Sequence, residues 1–229
     1  MKKYIVLIMS LLLCTGCFNS VVNNNEEEIN SNNNEIEEVV IDSLPIKEKP
    51  ESPLANDSPL SADNIDDYLF LDDVLYIDLR SFSQQQDEGS IAGFRVIPFY
   101  EVIVWWEEKD NVLFTMTKPD ENYDSYLGDV GSFFPNYEES GQLLETIFPR
   151  NKQIVFMSTA GVEAAYMINL LKQYDYDPSL LYNAGTFANG IGNTTAYMKK
   201  EDHKYYIEGY SGYSLDIKFN WGELTPINK

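Results

Sequence analysis

A serine lies at the point where a strand-like run of residues changes into a helical pattern. The apolar run IVFM, residues 154 to 157, leads into Ser158, small residues continue to Gly161, and a helical pattern begins at Val162. Backbone N–H groups converge at such a strand-to-helix turn, so these turns often hold a nucleophile or an anion. The composition of the loop raises the question of whether Ser158 is catalytic.

Activation of Ser158 would require a general base. That base must lie within about 3 Å of the hydroxyl, and histidine is the usual choice. The chain has one histidine, His203, on a distant segment that we expect to be the edge of a β-hairpin. An enzyme that uses Ser158 is therefore the less favoured interpretation, and it stays open at this point.

The only two cysteines, Cys14 and Cys17, lie in an N-terminal stretch with the layout of a secretory signal. Two lysines precede an apolar run that is too short to span a bilayer of roughly 30 Å. The ending LLLCTGC resembles the bacterial lipobox, although Cys14 replaces the usual leucine. The resemblance implies that residues 1–17 form a lipoprotein signal with Cys17 as its lipidated residue, which acyl chains such as palmitate would hold in the membrane. An ordinary cleaved signal and an uncleaved anchor are the alternatives.

Removal of this leader would leave no free thiol and no disulfide, which excludes thiol chemistry. Residues 18–60 are rich in Asn and Glu and then in Pro and Ser, with almost no aromatic residues. Such a composition cannot bury enough apolar surface to offset the entropy lost on ordering. We therefore predict that residues 18–60 form a disordered acidic tether.

The formal net charge of −21 limits the class of partner. A chain this acidic repels phosphate backbones, so nucleic acid is not an expected partner. The acidic run from Asp120 has Ser125 and Gly131 where a calcium loop requires glycine and glutamate. We predict neither a metal nor a cofactor.

From Ser61 the chain acquires the pattern of a folded domain. Consecutive apolar residues predict strands buried on both faces, and residues at helical spacing predict helices between them. Ser83 and Gln86 have capping-box spacing, which predicts a short helix that Gly89 ends. The predicted strands are DVLYIDLR, FRVIPF, IVFMS and SLLYNAG, and the predicted helices are SADNIDDYLFL, SFSQQQDEG, NYEESGQLLETIF and residues 162–174. This alternation indicates an α/β domain with a mainly parallel sheet flanked by helices.

The order and spacing of four short motifs resemble those of the rhodanese-like domain. The family's first strand ends in D-x-R, and its next turn has a G-x-I-x-G pattern. Its active loop, C-R-x-G-x-R, follows a buried strand, and a Gly-Gly step comes later. The matching segments are Asp78 to Arg80, Gly89 to Gly93 with Phe94 next, Ser158 to Glu163, and Gly185 with Thr186. The resemblance implies a rhodanese-like sheet over residues 61–229.

The chain departs from that pattern at the residues that carry the family's chemistry. The loop cysteine of active members accepts sulfur as a persulfide, which requires a thiolate. Here Ser158 takes its place, Thr159 and Glu163 replace loop arginines, and Ser90 replaces the usual histidine. The resemblance therefore implies that sulfurtransferase activity is absent. We expect Asp78 and Arg80 to be a structural pair at the strand end.

Glu163 limits what the loop could bind. A carboxylate in the first helical turn interacts favourably with the helix dipole by roughly 0.3 to 1 kcal/mol. It also places negative charge where an anion would otherwise bind. The degenerate loop is either kept only for folding, which we favour, or binds a neutral or cationic ligand. The loop consists of Ser158, Thr159, Ala160, Gly161, Val162 and Glu163.

Two additions surround the predicted core. The first, at about 100–136, is rich in aromatic residues and is either a satellite core, which we favour, or a recognition surface. The second, at about 203–221, alternates apolar and polar residues on either side of a Gly-bearing turn, which predicts a C-terminal β-hairpin. The aromatic residues of the first are Trp105, Trp106, Phe114, Tyr123, Tyr126, Phe133 and Phe134.

The sequence thus predicts a lipoprotein on the extracytoplasmic face of a bacterial cell membrane. Its partners would be the membrane, through lipid on Cys17, and an unidentified envelope protein or small ligand. Asp78, Arg80, Gly89, Gly93 and Gly185 would support the fold. A binding or scaffolding module is favoured over an enzyme.

Overall fold

The computed structural model describes residues 41–117, 131–189, 196–209 and 219–227, and a parallel sheet lies at its centre. The strands are β1 (Val74–Asp78), β2 (Ser90–Ile91), β3 (Arg95–Val96), β4 (Val104–Trp105), β5 (Phe114–Met116), β6 (Phe133–Pro135), β7 (Gln153–Ser158), β8 (Leu181–Thr186) and β9 (Tyr206–Ile207). The α-helices are α1 (Phe82–Glu88), α2 (Ser140–Ile147) and α3 (Val162–Gln173). Single turns of 3₁₀ or π geometry occur at Ala55–Asp57, Ile65–Tyr68, Phe99–Ile103, Pro178–Leu180, Tyr197–Lys199 and Trp221–Glu223.

The central sheet has the strand order β3–β1–β7–β8, with every neighbouring pair parallel. Successive side chains of a strand face opposite sides of a sheet. Ile77 accordingly packs with Phe156 in one core cluster, whereas Tyr76 packs with Val155 and Met157 in the other. Burial on both faces explains the consecutive apolar runs of β1 and β7. The predicted α/β class, with a parallel sheet flanked by helices, is confirmed.

Helix α1 begins two residues earlier than the predicted capping box implies. The Ser81 hydroxyl accepts a hydrogen bond from the Gln84 backbone N–H (3.2 Å), and the Gln84 side-chain oxygen accepts one from the Ser81 backbone N–H (3.0 Å). The predicted capping box of Ser83 and Gln86 is therefore wrong. Both pairs have the required spacing, and the pair that immediately follows β1 forms the cap.

Helices α2 and α3 lie where the sequence predicts them. Leu144, Ile147 and Phe148 are buried and Leu143 packs against them, as the predicted apolar face requires. Helix α3 begins at Val162, directly after the small residues of the loop. The loop is therefore held between a buried strand and a buried helix.

The aromatic insertion forms a second, three-stranded sheet in the order β4–β5–β6. Strands β4 and β5 are parallel, and β5 and β6 are antiparallel. Phe114, Met116 and Phe133 are at most 2% exposed and belong to the same core cluster as Leu144 and Phe148. This part of the insertion is thus part of the main core. Tyr123 and Tyr126 lie outside the described residues.

Residues 41–60 pack on the domain, so the prediction of a disordered tether is wrong for this part of the chain. Leu44 is 6% exposed and Leu60 is fully buried. The side-chain amide of Asn183 donates to the carbonyl oxygen of Pro53 (2.9 Å). The average composition of residues 41–60 predicts disorder. The segment nevertheless packs on the domain, because a few of its residues bind partners far along the chain.

Lys47 provides a further attachment for this segment. Its ammonium donates to the carbonyl oxygens of Pro50 (2.9 Å), Pro178 (3.0 Å) and Leu181 (2.7 Å). Only 7% of the residue is exposed. Burial, followed by the nearby ammonium of Lys172, lowers the pKa of Lys47 to about 8.

The C-terminal hairpin predicted over about 203–221 is not seen as such. Strand β9 pairs antiparallel with β2, which places Ile207 opposite Ser90 and Tyr206 opposite Ile91. Residues 210–218 of the predicted hairpin lie outside the described residues, and the described residues after them include a 3₁₀ turn at Trp221–Glu223. Residues 18–40 of the predicted tether and Cys17 also lie outside the described residues.

The Lys47 environment predicts a pH dependence of stability. The ammonium has its ordinary pKa of 10.5 in the unfolded chain, so between about pH 8 and 10 the unfolded chain binds more protons than the folded one. The free energy of unfolding should therefore rise with pH in this window. We expect urea unfolding of the full chain to show a greater rise from pH 7.5 to 9.5 than unfolding of Lys47→Met.

The control for this measurement is Lys199→Met at an exposed position, which should keep the wild-type pH dependence. An equal rise in wild type and Lys47→Met would contradict the assignment.

Candidate functional site

The parallel sheet brings the residues singled out in the sequence to one edge. Carboxyl ends of parallel strands meet at the same edge, where α/β proteins commonly bind ligands. Arg80 follows β1, Ser158 ends β7, and Thr186 ends β8 in register with Ser158. The loop from Ser158 to Glu163 therefore lies at the edge where a ligand site is expected.

Ser158 is fully buried at this edge. Its hydroxyl has no hydrogen-bond partner among the described residues, and neither does the hydroxyl of Thr186, which is 3% exposed. A buried hydroxyl without a partner typically costs about 1–3 kcal/mol. A nucleophile must contact its substrate, and this position gives the Ser158 hydroxyl no contact with solvent.

The backbone of the loop is engaged by the protein itself. The carbonyl oxygen of Ser158 accepts from the Phe187 N–H (2.9 Å), and that of Thr159 accepts from the N–H groups of Ala188 (3.2 Å) and Asn189 (3.0 Å). The Gln84 side-chain amide also donates to the Thr159 hydroxyl (2.8 Å). These contacts fix the loop from helix α1 on one side and from the segment after β8 on the other.

Gly161 allows the loop to turn into helix α3. Its φ of +79° lies in the left-handed region that favours glycine. Its carbonyl oxygen accepts from the Asn183 side-chain amide (2.9 Å) and from the Ala165 N–H (3.1 Å). A side chain at Gly161 would also approach Ala55 of the N-terminal segment at 3.4 Å. The formerly predicted tether thus covers this end of the loop.

Arg80 and Asp78 form a buried pair, and Arg80 is 2% exposed. The guanidinium donates to both carboxylate oxygens of Asp78 (2.6–3.2 Å), to Glu88 (3.1 Å) and to the carbonyl oxygen of Gly89 (2.8 Å). Its central carbon lies 3.4 Å from the centre of the Phe187 ring. Arg80 therefore joins the end of β1 to the end of α1 and to the segment after β8.

The predicted structural glycines lie in the turns around this pair and the loop. Gly89 has a φ of +82°, and a side chain there would meet the carbonyl oxygen of Ile207 at 2.4 Å. Gly93 lies between β2 and β3, and Gly185 lies in β8 next to Gly161. Only glycine therefore fits at Gly89 without a shift of β9.

A cleft of about 420 Å³ opens beside the loop. This volume lies in the range of small-molecule sites. The cleft is bounded by the end of β1, helix α1, the start of α3 and the insertion. Its lining residues are Leu79, Arg80, Ser81, Gln84, Pro98, Tyr100, Glu101, Trp105, Trp106, Lys109 and Glu163. Glu163 is thus the loop residue that faces the cleft, whereas Ser158 is absent from its lining.

The cleft combines an aromatic wall with charged groups. The Lys109 ammonium lies 3.9 Å from the centre of the Trp105 ring. Partial burial raises the pKa of Glu101, and the charge of Lys109 opposes this effect. One carboxylate oxygen of Glu163, Oε2, is buried and has no hydrogen-bond partner among the described residues.

Sequence reasoning identified Glu163, Trp105 and Trp106 but missed Glu101 and Lys109 as members of a site. The available signal was the run of aromatic and charged residues from Tyr100 to Lys109. That run does not show which side chains face a cleft, because only the fold brings Glu163 and Gln84 to the same cleft.

Within the described residues, no group of three or more His, Cys, Asp or Glu side chains could hold a metal ion. The helices in these ranges also lack the length and apolar character needed to cross a membrane. Comparison of the chain with protein-family models, curated proteins and solved structures finds no match.

The Arg80 pair predicts a large effect of substitution on stability. Arg80→Ala would leave the Asp78 carboxylate buried and uncompensated, which typically costs about 3–5 kcal/mol. We expect urea unfolding to show a loss of this size. Arg150→Ala is the control, because Arg150 pairs with Glu145 at the surface and such pairs contribute about 1 kcal/mol or less. Equal losses for the two variants would contradict this role of Arg80.

Proposed function

We propose that this chain is a lipid-anchored lipoprotein of the bacterial cell envelope, with a rhodanese-like domain that binds a ligand instead of transferring sulfur. The observation that carries the proposal is the cleft beside the loop. It is lined by Glu163 and by aromatic side chains, whereas the residue in the place of the catalytic cysteine is buried.

The chemistry of the loop supports the absence of sulfur transfer. A persulfide requires a polarisable thiolate of lowered pKa. Ser158 has no thiol, and the chain has cysteines only at Cys14 and Cys17. The order of the four motifs, the parallel sheet and the position of the loop between β7 and α3 agree with the rhodanese-like resemblance.

The alternative of an enzyme of another class that uses Ser158 receives no support from the site. The Ser158 hydroxyl is buried and has no partner among the described residues. The single histidine, His203, stacks on Tyr206, with 4.7 Å between ring centres. Tyr206 belongs to β9, and β9 pairs with β2, outside the strands that end at the loop.

The proposed anchor predicts metabolic labelling by fatty acid. Cells that express the full chain with labelled palmitate should incorporate label into the protein and retain it in the membrane fraction. Cys17→Ser should remove the label, because the thioether requires the Cys17 sulfur. Cys14→Leu is the matched control and should leave labelling intact, because leucine is the usual residue at that position of the lipobox. Label that persists in Cys17→Ser would refute the anchor.

The proposed loss of catalysis predicts that restoring a thiol does not restore activity. Ser158→Cys, in a full chain that also carries Cys14→Ser and Cys17→Ser, would place its only thiol at a fully buried position. We expect slow reaction with a disulfide reagent in buffer, at least about 100-fold slower than in denaturant, and no thiosulfate:cyanide sulfurtransferase activity.

The control is Ser179→Cys in the same background, because Ser179 is exposed and its thiol should react at once. Sulfurtransferase activity of the wild type, or of Ser158→Cys, would overturn the proposal.

A further inference from the structure

The cleft already holds one alkylammonium group, from its own Lys109. The Lys109 ammonium lies 3.9 Å from the centre of the Trp105 ring, well within the roughly 6 Å range of a cation–π interaction. Lys109 itself is exposed, so a flexible side chain brings its charge to this ring from the rim. The Trp105 ring therefore accepts an alkylammonium group in this structure.

The wall is built from rings that support each other. Tyr100 stacks on Trp106 with 6.2 Å between ring centres and an angle of 30°. Tyr100 also meets Trp105 edge-on at 6.1 Å. Trp106 in turn contacts Tyr166 of helix α3 edge-on at 6.2 Å. Contacts of this kind hold the ring faces in place before a ligand arrives, which lowers the cost of binding.

The carboxylates of the cleft have the opposite charge to such a ligand. Glu101 lies near Lys109, and Glu163 lines the cleft from the first turn of α3. Oε2 of Glu163 is buried and has no hydrogen-bond partner among the described residues. The attraction of Glu163 for a cation in the cleft is therefore one of charge and does not require contact with this buried oxygen.

Arg80, the other cation in the lining, already has its own partners within the fold. The Arg80 guanidinium donates to Asp78, Glu88 and Gly89. Its charge is therefore compensated within the fold. The strongly acidic chain, with a formal charge of −21, also raises the local concentration of cations.

We propose that the cleft binds a primary alkylammonium group, with its charge at Glu163 and its carbon chain along Trp105 and Trp106. This inference rests on the proposed function, because it names the ligand class of the same cleft. Two sources supply such a group, a free diamine and the lysine side chain of a peptide. Lys109 would then compete with the ligand for the Trp105 ring.

Tryptophan fluorescence of the full chain measures this binding directly. Trp105 and Trp106 lie in the cleft, and Trp221→Phe removes the remaining tryptophan signal. The probes are 1,5-diaminopentane, the uncharged 1,5-pentanediol and the dianion glutarate. A second pair, Nα-acetyl-lysine amide with its free side-chain ammonium and Nα-acetyl-norleucine amide without one, tests the peptide source. We expect saturable changes with the amines and none with the uncharged or anionic partners.

Variants test the geometry. Glu163→Gln should weaken amine binding about tenfold, because the charge attraction between carboxylate and ammonium is lost while the size of the side chain is kept. Lys109→Met should strengthen it about threefold, since the competing ammonium is removed from Trp105. Glu108→Gln removes the same charge at an exposed neighbouring position outside the lining and should have little effect.

The outcomes separate this inference from the proposed function. Binding of the diol or glutarate in preference to the amines would refute the ammonium class while leaving the cleft as a binding site. No saturable change with any probe would count against both. Equal weakening by Glu163→Gln and Glu108→Gln would refute the placement of the charge. Response to the lysine amide but not to the diamine would assign the peptide source.

Discussion

The buried guanidinium of Arg80 connects the parts of the molecule that form the site. Desolvation of such a charge costs several kcal/mol, so it requires the two oxygens of Asp78 and further acceptors to be in place. Those acceptors are Glu88 and the carbonyl oxygen of Gly89, at the end of α1, and the Phe187 ring covers the planar face. The direction of α1, and with it the cleft wall, follows from this pair.

The same arrangement separates the loop that holds Ser158 from the open cleft, two regions that an active site would combine. Gln84, held by the Ser81 cap of α1, donates to Thr159 and closes the loop from one side. Asn183 of β8 and Ala55 of the N-terminal segment lie against Gly161 at its other end. The loop is therefore fixed by internal contacts, and the open cleft lies beside it. A ligand of the cleft would meet the helical end of the loop, at Glu163, and would not meet Ser158.

Sequence patterns predicted two kinds of element. These are segments whose contacts lie nearby in the sequence and strands that are buried on both faces of the sheet. Strands β1, β7 and β8 and helix α3 follow from consecutive apolar residues and from the glycine turn at Gly161. The packing of residues 41–60 was missed, because Lys47 and Asn183 find their partners more than 100 positions away. The pairing of Lys109 with Trp105 was missed because spacing alone does not show which side chains share a cleft.

Charge relates the loop to the proposed ligand. The loop from Ser158 to Glu163 contains no cationic residue, and Glu163 adds a negative charge at this edge of the sheet. The arginine of the lining, Arg80, is compensated by Asp78 and Glu88. A helix N-terminus favours anions by roughly 0.3 to 1 kcal/mol, but Glu163 already occupies that field. The carboxylate of Glu163 and the ring faces of Trp105 and Trp106 are therefore the groups of the cleft that suit a cation.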